Sequence, residues 1–459
     1  MARKAVPRLL LTAPASGSGK TTVTCALLRA LVKRKCAVCA FKSGPDYIDP
    51  MFHSVVTGTR SDNLDLFLFG GHGRGEAVAK RLLCEAGEEK TVAVLEGAMG
   101  FYDGLGLSCD YSAYDLARVT QTPVVLVVNG KGAAASIAAV LKGMAGFRAD
   151  SGIKGFVVNN VRQSVYEHYK ALWEKESGLK AYGCLPYMEE AVIASRHLGL
   201  VTANEIKDLT NRVDILGQAA EKALDVDGLL SLAESAQPLT YEMQTAPAAK
   251  RVHIAVAKDE AFCFYYDAAL RLLEHLGADL IPFSPVRDAA LPDCDGLYIG
   301  GGYPELYARE LSGNEAMRKN IAAAIEAGMP CFAECGGFMY LAAAIKYNNT
   351  VLPMVGAVPG VVKMTRSLKR FGYETLTARK DNFLCKAGDV LHAHEFHYSE
   401  TSEDGTAFTV TKEGSRRIWR DLHVEKNLWA GYAHIHFCGA PHVAENLVNA
   451  CALWRKEEK

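Results

Sequence analysis

Two short stretches of this chain carry residue types in an order that suits catalysis. In the first, APASGSGKTT (13–22), Gly17 and Gly19 precede Lys20 and Thr21. Such glycines let backbone N–H groups approach phosphate oxygens closely, the Lys20 ammonium reaches β- and γ-phosphates, and the Thr21 hydroxyl is placed to ligate Mg2+. Ser16, Ser18 and Thr22 complete the loop; the usual spacing begins with glycine at the position held here by Pro14, so the loop is a variant. Mg2+ takes oxygen ligands and usually one or two carboxylates. The candidates are Asp46 and Asp49 in FKSGPDYIDP (41–50) and Glu96 at the head of EGAMGFYDG (96–104). Lys20, Asp46 and Glu96 are expected to converge on one crevice, although either Asp can instead form a turn.

In the second stretch, AECGG (333–337), Cys335 follows an apolar run and precedes two glycines and a helical pattern. That order describes a nucleophile elbow, in which a sharp turn exposes the thiol and the following helix N-terminus favours thiolate. A base is available about 100 residues on, in WAGYAHIHF (429–437), where His434 and His436 lie two apart on a strand-like segment and either is expected to reach Cys335. IGGGYPE (299–305) offers the backbone N–H groups of Gly301 and Gly302 as an oxyanion hole. The other twelve of the thirteen cysteines read as small buried hydrophobes, Cys36 and Cys39 included. HAHEFH (392–397) matches no standard zinc spacing, so His394, Glu395 and His397 read as a polar wall or loop scaffold.

The elements that must position these residues are α/β in pattern. Near-continuous apolar runs at 8–12, 91–96, 122–129 and 153–160 each end in a polar or glycine-containing turn, as parallel strands buried on both faces do. Val23, Leu27, Ala30 and Leu31 fall at i, i+4, i+7 and i+8, which predicts a helix starting near Lys20. Residues 234–250 have the composition of a linker, and strand-then-turn units resume at 251–257, 278–283, 295–302 and 329–335, with a helical segment at 305–327. The expectation is two α/β domains, 1–245 and 250–459.

A length of 459 residues fits two or three domains of ~150 residues each. With 51 basic against 52 acidic residues, no electrostatic footprint argues for nucleic acid or an anionic membrane as partner. Unpaired cysteine spacing, the lack of an 18-residue apolar stretch and an N-terminal apolar run of only three residues point to a soluble protein of the reducing cytoplasm.

Taken in order, SGSGKTT, FKSGPDYIDP, NLDLFL (63–68), EGAMGFYDG, SRHLGL (195–200), IGGGYPELYA (299–308), AECGGFMYL (333–341) and HEFHYS (394–399) resemble the cobyrinic acid a,c-diamide synthase family over nearly the whole chain. The resemblance implies an N-terminal domain like dethiobiotin synthetase and a C-terminal class I glutamine amidotransferase domain of the cobyrinic/cobyric type. It implies ATP-dependent amidation of the a- and c-acetate groups of cobyrinate through acyl phosphates, with L-glutamine as nitrogen donor and Mg2+ as cofactor; a homodimer is compatible with it. Carried over by motif, Lys20 and Thr21 bind phosphate and Mg2+, Lys42 holds phosphate or acyl phosphate, and Asp46 and Glu96 hold the metal. Asp46, Tyr47, Ile48, Asp49, Tyr102, Asp103, Arg196 and His197 would line the substrate, and Asn160, Leu185 and Pro186 the nucleobase. Cys335 is implied as nucleophile and His434 as its partner. The wider class I enzymes carry Glu two residues after the catalytic His; here that position is His436, which implies a dyad with its orienting group unidentified.

A corrin bearing several carboxylates calls for localised cations on a nearly neutral chain. Lys363, Arg366, Lys369 and Arg370, with Phe371 and Tyr373 beside them, are expected to meet it. Ni-sirohydrochlorin a,c-diamide synthase and cobyric acid synthase share the chemistry. A partner-switching ATPase of the MinD type is the reading from another class; it expects a Lys-Gly-Gly form of the loop and leaves Cys335 without a role.

Overall fold

The computed structural model describes residues 1–59, 61–86, 91–191, 195–196, 199–200, 208–246 and 248–457, with 195–196 and 199–200 as backbone only. The chain forms two compact units, Met1–Leu66 with Gly71–Met243, and Phe67–Gly70 with Gln244–Lys459.

The first unit is built on seven parallel strands in the spatial order Ser61–Leu64, Val38–Ser43, Val92–Glu96, Arg8–Thr12, Val124–Asn129, Ile153–Asn159, Lys180–Leu185. Chain order reverses direction at Arg8–Thr12, and such a switch point opens a crevice at the carboxyl ends of the strands. The loop 13–19 leaves that strand and feeds helix Lys20–Lys33, whose Val23, Leu27, Ala30 and Leu31 are buried as the periodicity predicts, among Leu9, Leu11, Val94 and Leu216. Helix Ile48–Thr57 begins inside the segment read as a Gly-Pro turn, because Pro50 falls within the first helical turn, where its missing N–H costs nothing. The stretch read as a linker is partly structured: Leu239–Tyr241 pairs antiparallel with Ala2–Lys4.

The second unit centres on a six-stranded sheet ordered Ala278–Phe283, Val252–Ala257, Gly296–Ile299, Cys331–Glu334, Leu428–Gly431, His423–Glu425; only the last strand is antiparallel to its neighbour. The helical segment expected at 305–327 is two helices, Ala308–Gly313 and Glu315–Ala327, divided at Asn314, whose side chain caps the second. An antiparallel sheet ordered Ile418–Asp421, Phe408–Thr411, Arg370–Ala378, Val390–His397, His434–Ile435 completes the framework of the site. Among the described residues no helix is long and apolar enough to cross a membrane.

Candidate active sites

In the first unit the phosphate loop, the Lys42 strand and the Glu96 strand end side by side. Gly19 holds φ 93°, and a Cβ there would lie 1.9 Å from Nδ2 of Asn159, so the position requires glycine. Lys20 is buried and its ammonium donates to the carbonyls of Met99 at 2.6 Å and Ala15 at 3.3 Å, folding the Glu96 loop onto the phosphate loop. Burial lowers the Lys20 pKa, with the charge of Lys42 adding to the effect.

Four side chains then meet. The Thr21 hydroxyl lies 2.7 Å from Glu96 Oε1 and 3.3 Å from Asp49 Oδ1. The Lys42 ammonium donates to Glu96 Oε1 at 2.9 Å and to Asp49. The second Glu96 oxygen is held at 2.8 Å by Nε2 of His53, whose Nδ1 meets Ser61 Oγ at 3.3 Å. Burial opposes ionisation of Glu96, yet Lys42 and His53 outweigh it and hold the carboxyl below the usual carboxylate range. Burial, then Asp46 and Glu96, push Asp49 the other way. Three hard oxygen donors on one small, solvent-shielded spot suit a divalent cation, and Lys42 supplies positive charge to the same oxygens.

Asp46, expected as a metal ligand, has another task. Its Oδ1 accepts from the N–H of Ile48 at 2.8 Å and of Asp49 at 3.3 Å, which caps the helix start, and its Oδ2 stays 4.0 Å from Lys42. The helix beginning at Ile48 turns Asp49, not Asp46, toward Thr21. His53 follows Asp49 by four residues on the same helical face, a spacing legible in the sequence but not read as functional. Asn160 sits at φ 60° and donates to Asn129 Oδ1 at 3.2 Å; its neighbour Asn159 makes the contact with the phosphate loop, donating to Ser18 O at 3.2 Å. The carbonyl of Leu185, before Pro186, accepts from Val161 N at 3.2 Å. The Tyr102 hydroxyl is used on Met144 O at 2.7 Å, and Asp103 accepts from Gly100 N at 2.9 Å. Tyr47 and Ile48 are half-buried beside Asp49. Arg196 lies in a two-residue antiparallel pair with Gly199, while His197 lies outside the described residues.

In the second unit three neighbouring parallel strands deliver the candidate groups from their carboxyl ends. Cys335 follows Cys331–Glu334 directly and holds φ 49°, ψ −102° before helix Gly336–Leu341. Such a strained turn at a thiol marks an elbow. Its N–H donates to Gly431 O at 2.7 Å. Gly301 and Gly302 follow the neighbouring strand; the segment expected as a free turn is paired antiparallel with Phe262–Phe264. A Cβ on Gly336 would lie 3.0 Å from Gly302 N, and a Cβ on Gly301 would lie 2.6 Å from Cε1 of His434. Cys335, His434 and the Gly301–Gly302 backbone therefore share one neighbourhood.

The two histidines do not share a face. The strand Leu428–Gly431 ends, and His434–Ile435 joins the antiparallel sheet, with His434 opposite His394. Beyond Ile435 the chain turns: His436 stacks on Tyr266 at 4.7 Å between ring centroids, meets Phe69 edge-on at 4.8 Å, and its Nδ1 accepts from Cys438 N at 3.1 Å. Burial pulls His434 down to about 3, with His394 and His397 adding to it. Burial also pushes the Cys335 thiol up, and Glu305 next. Burial thus works against both the thiolate and the imidazolium, opposite in direction to the thiolate-favouring effect expected of the helix N-terminus.

Glu334, immediately before Cys335, carries no functional signal in the sequence pattern. Its Oε1 accepts from Ile435 N at 2.8 Å and its Oε2 from the Tyr298 hydroxyl at 3.1 Å, so one carboxyl ties the thiol strand to the histidine strand and to the strand leading to Gly301. Two of the four cations expected to cover the substrate are committed elsewhere: Arg370 pairs with Asp421, with Asp404 at 3.1 Å and with Glu395 at 3.4 Å, and Lys369 pairs with Glu400. HAHEFH is the strand Val390–His397 rather than a loop.

Comparison with known proteins agrees with this division. Residues 9–200 match the CobQ/CobB/MinD/ParA nucleotide binding domain, and residues 253–441 the CobB/CobQ-like glutamine amidotransferase domain. A cobyrinate a,c-diamide synthase of Listeria monocytogenes serotype 4b is 39% identical, covering 94% of this chain and 96% of the relative. One from Clostridium tetani is 39% identical over 94% of this chain and 97% of the relative, and one from Thermoplasma volcanium is 37% identical over 99% of both. With likeness of that extent across both units, and both elbow and phosphate loop in place, the chain belongs to the cobyrinate a,c-diamide synthase family.

Proposed function

We propose that the protein amidates the a- and c-carboxylates of cobyrinate, using ATP and ammonia released from L-glutamine, as a step of cobalamin synthesis. The observation that supports this reading is the presence in one chain of two separate clusters, Lys20–Thr21–Lys42–Asp49–Glu96 and Cys335 with His434 beside Gly301–Gly302.

A carboxylate is a poor acyl donor because expelling oxide is unfavourable, so the γ-phosphoryl group is first transferred to it. Lys20 and Lys42 offset charge that spreads over the phosphoryl oxygens. Thr21, Asp49 and Glu96 would hold Mg2+, which when bound neutralises phosphate charge. Ammonia then displaces phosphate. At the second cluster the Cys335 thiol gives its proton to His434 as it attacks the glutamine amide carbon, and His434 returns a proton to the leaving ammonia. The backbone at Gly301–Gly302 stabilises the oxyanion, and water hydrolyses the thioester.

The test is mass spectrometry of products when purified protein, Mg-ATP and glutamine are given cobyrinate and Ni-sirohydrochlorin in parallel. Double amidation of cobyrinate is expected; preference for the nickel compound would move the protein to another pathway, and amidation of neither would overturn the synthetase reading. Slow ATP hydrolysis without glutaminase activity would favour the partner-switching ATPase, for which the elbow has no use.

Glu334 has a measurable share in this scheme. Glu334→Ala frees Ile435 and is expected to lower glutaminase kcat about 10²-fold, the scale of a small misplacement of a catalytic group. Glu334→Gln keeps an oxygen acceptor for Ile435 N–H and is expected to stay within about tenfold of wild type. Equal loss in both variants would show that charge, not positioning, is what Glu334 supplies.

A further inference from the structure

Glu305 is a buried acid that the mechanism above leaves unused. It lies three residues past Gly302, is 7% exposed as a residue, and among the described residues its only polar partner is its own backbone N–H. Several other buried acids of this unit are provided for, although among the described residues Glu374 keeps Oε1 buried without a hydrogen-bond partner. Glu334 accepts from Ile435 and Tyr298, and Asp259 accepts from the N–H groups of Ala261, Phe262 and Val286 and from the Ser284 hydroxyl. Glu395 faces Arg370 at 3.4 Å. A buried carboxylate held only by its own N–H is costly to ionise, and the cost falls when a cation is brought to it.

The position of Glu305 says which cation. The turn that carries it packs on the nucleophile: a Cβ on Gly336, the residue after Cys335, would lie 3.0 Å from Cδ of Pro304. The turn is itself fixed, with Tyr303 N donating to Ala261 O at 3.0 Å and Tyr307 N to Pro304 O at 3.2 Å. Glu305 also acts on the Cys335 thiol through space. In L-glutamine the α-ammonium is four bonds from the amide carbon that the thiol attacks, about 5 Å when extended. A lone carboxylate is too few ligands for a bound metal ion, whereas it matches one ammonium.

We propose that Glu305 receives the α-ammonium of L-glutamine and so selects an α-amino acid amide over a plain amide at Cys335. The assignment rests on the glutaminase reading of the Cys335 cluster. Its test compares ammonia release from L-glutamine with release from glutaric acid monoamide, which has the same reacting amide and lacks the amino group. Wild type is expected to favour glutamine in kcat/KM by about 10²-fold or more, as sites built around a charged hydrogen bond do. In Glu305→Gln the preference is expected to collapse to within a few-fold, chiefly through a higher KM for glutamine. Glu305→Asp keeps the charge but withdraws it, and is expected to give an intermediate preference. It serves as the test should the Gln variant not fold. A Gln or Asp variant with the wild-type preference overturns this assignment alone. Release of ammonia from neither compound by wild-type protein overturns the assignment together with the glutaminase reading.

Discussion

Cys335→Ala is expected to lower glutamine-dependent amidation by about 10⁴-fold or more, the scale of removing a covalent nucleophile, while amidation driven by added ammonium salt stays near wild type. The expectation follows from the division of labour. No group of the Lys20–Thr21–Lys42–Asp49–Glu96 cluster is a thiol, and an acyl phosphate needs only unprotonated ammonia, which mass action from an ammonium salt supplies at mildly alkaline pH. Among the thirteen cysteines Cys335 alone holds a positive φ at a strand-to-helix turn; the others lie in ordinary backbone, for example Cys331 within its strand and Cys451 within the last helix. The measurement is product formation with each nitrogen source at equal ATP and corrin. Loss of both activities in a folded variant would mean that the thiol serves the amidation step itself and that the two-site scheme is wrong.

The features legible in the sequence were those written in small residues at strand ends. Gly19, Gly336 and Gly337 leave no room for a side chain and Gly17 holds a left-handed φ of 78°, and such demands leave an ordered text. The apolar runs of the parallel strands are equally plain. Choices between neighbours were not legible. Whether Asp46 or Asp49 reaches Thr21 depends on the helix starting at Ile48, which fixes the direction of each side chain only once the helix is packed. Asn159 and Asn160 differ by the left-handed backbone at Asn160, which sends the two side chains apart. The parity of His434 and His436 suggested one face, but the chain changes sheet after Gly431 and turns after Ile435. Arg370 read as free for an anionic ligand because its acidic partners Asp404 and Asp421 lie 34 and 51 residues away. Placement of Phe67–Gly70 within the second unit is likewise a tertiary fact with no local signature.

Glu96→Gln is expected to give the reciprocal result: amidation falls about 10³-fold with glutamine and with ammonia alike, while glutamine hydrolysis persists. Glu96 is fixed by Thr21 at 2.7 Å, Lys42 at 2.9 Å and His53 at 2.8 Å, so the amide replaces a charge that three neighbours are arranged to use. Its NH2 group cannot face the Lys42 ammonium, which only donates, so it turns to His53, whose Nε2 must then present a lone pair in place of an N–H. The same reasoning separates the two aspartates. Asp49→Asn removes a carboxylate from Thr21 and Lys42 and is expected to lower amidation about 10²-fold. Asp46→Asn keeps an oxygen that accepts from Ile48 N–H, since asparagine caps helices as well as aspartate does, and is expected to cost less than about tenfold. Steady-state amidation and ammonia release, measured on all three variants, distinguish the cases. If Asp46→Asn is the severe one and Asp49→Asn the mild one, the metal-holding role returns to Asp46, and the helix start that turns Asp49 toward Thr21 would have to shift when nucleotide binds.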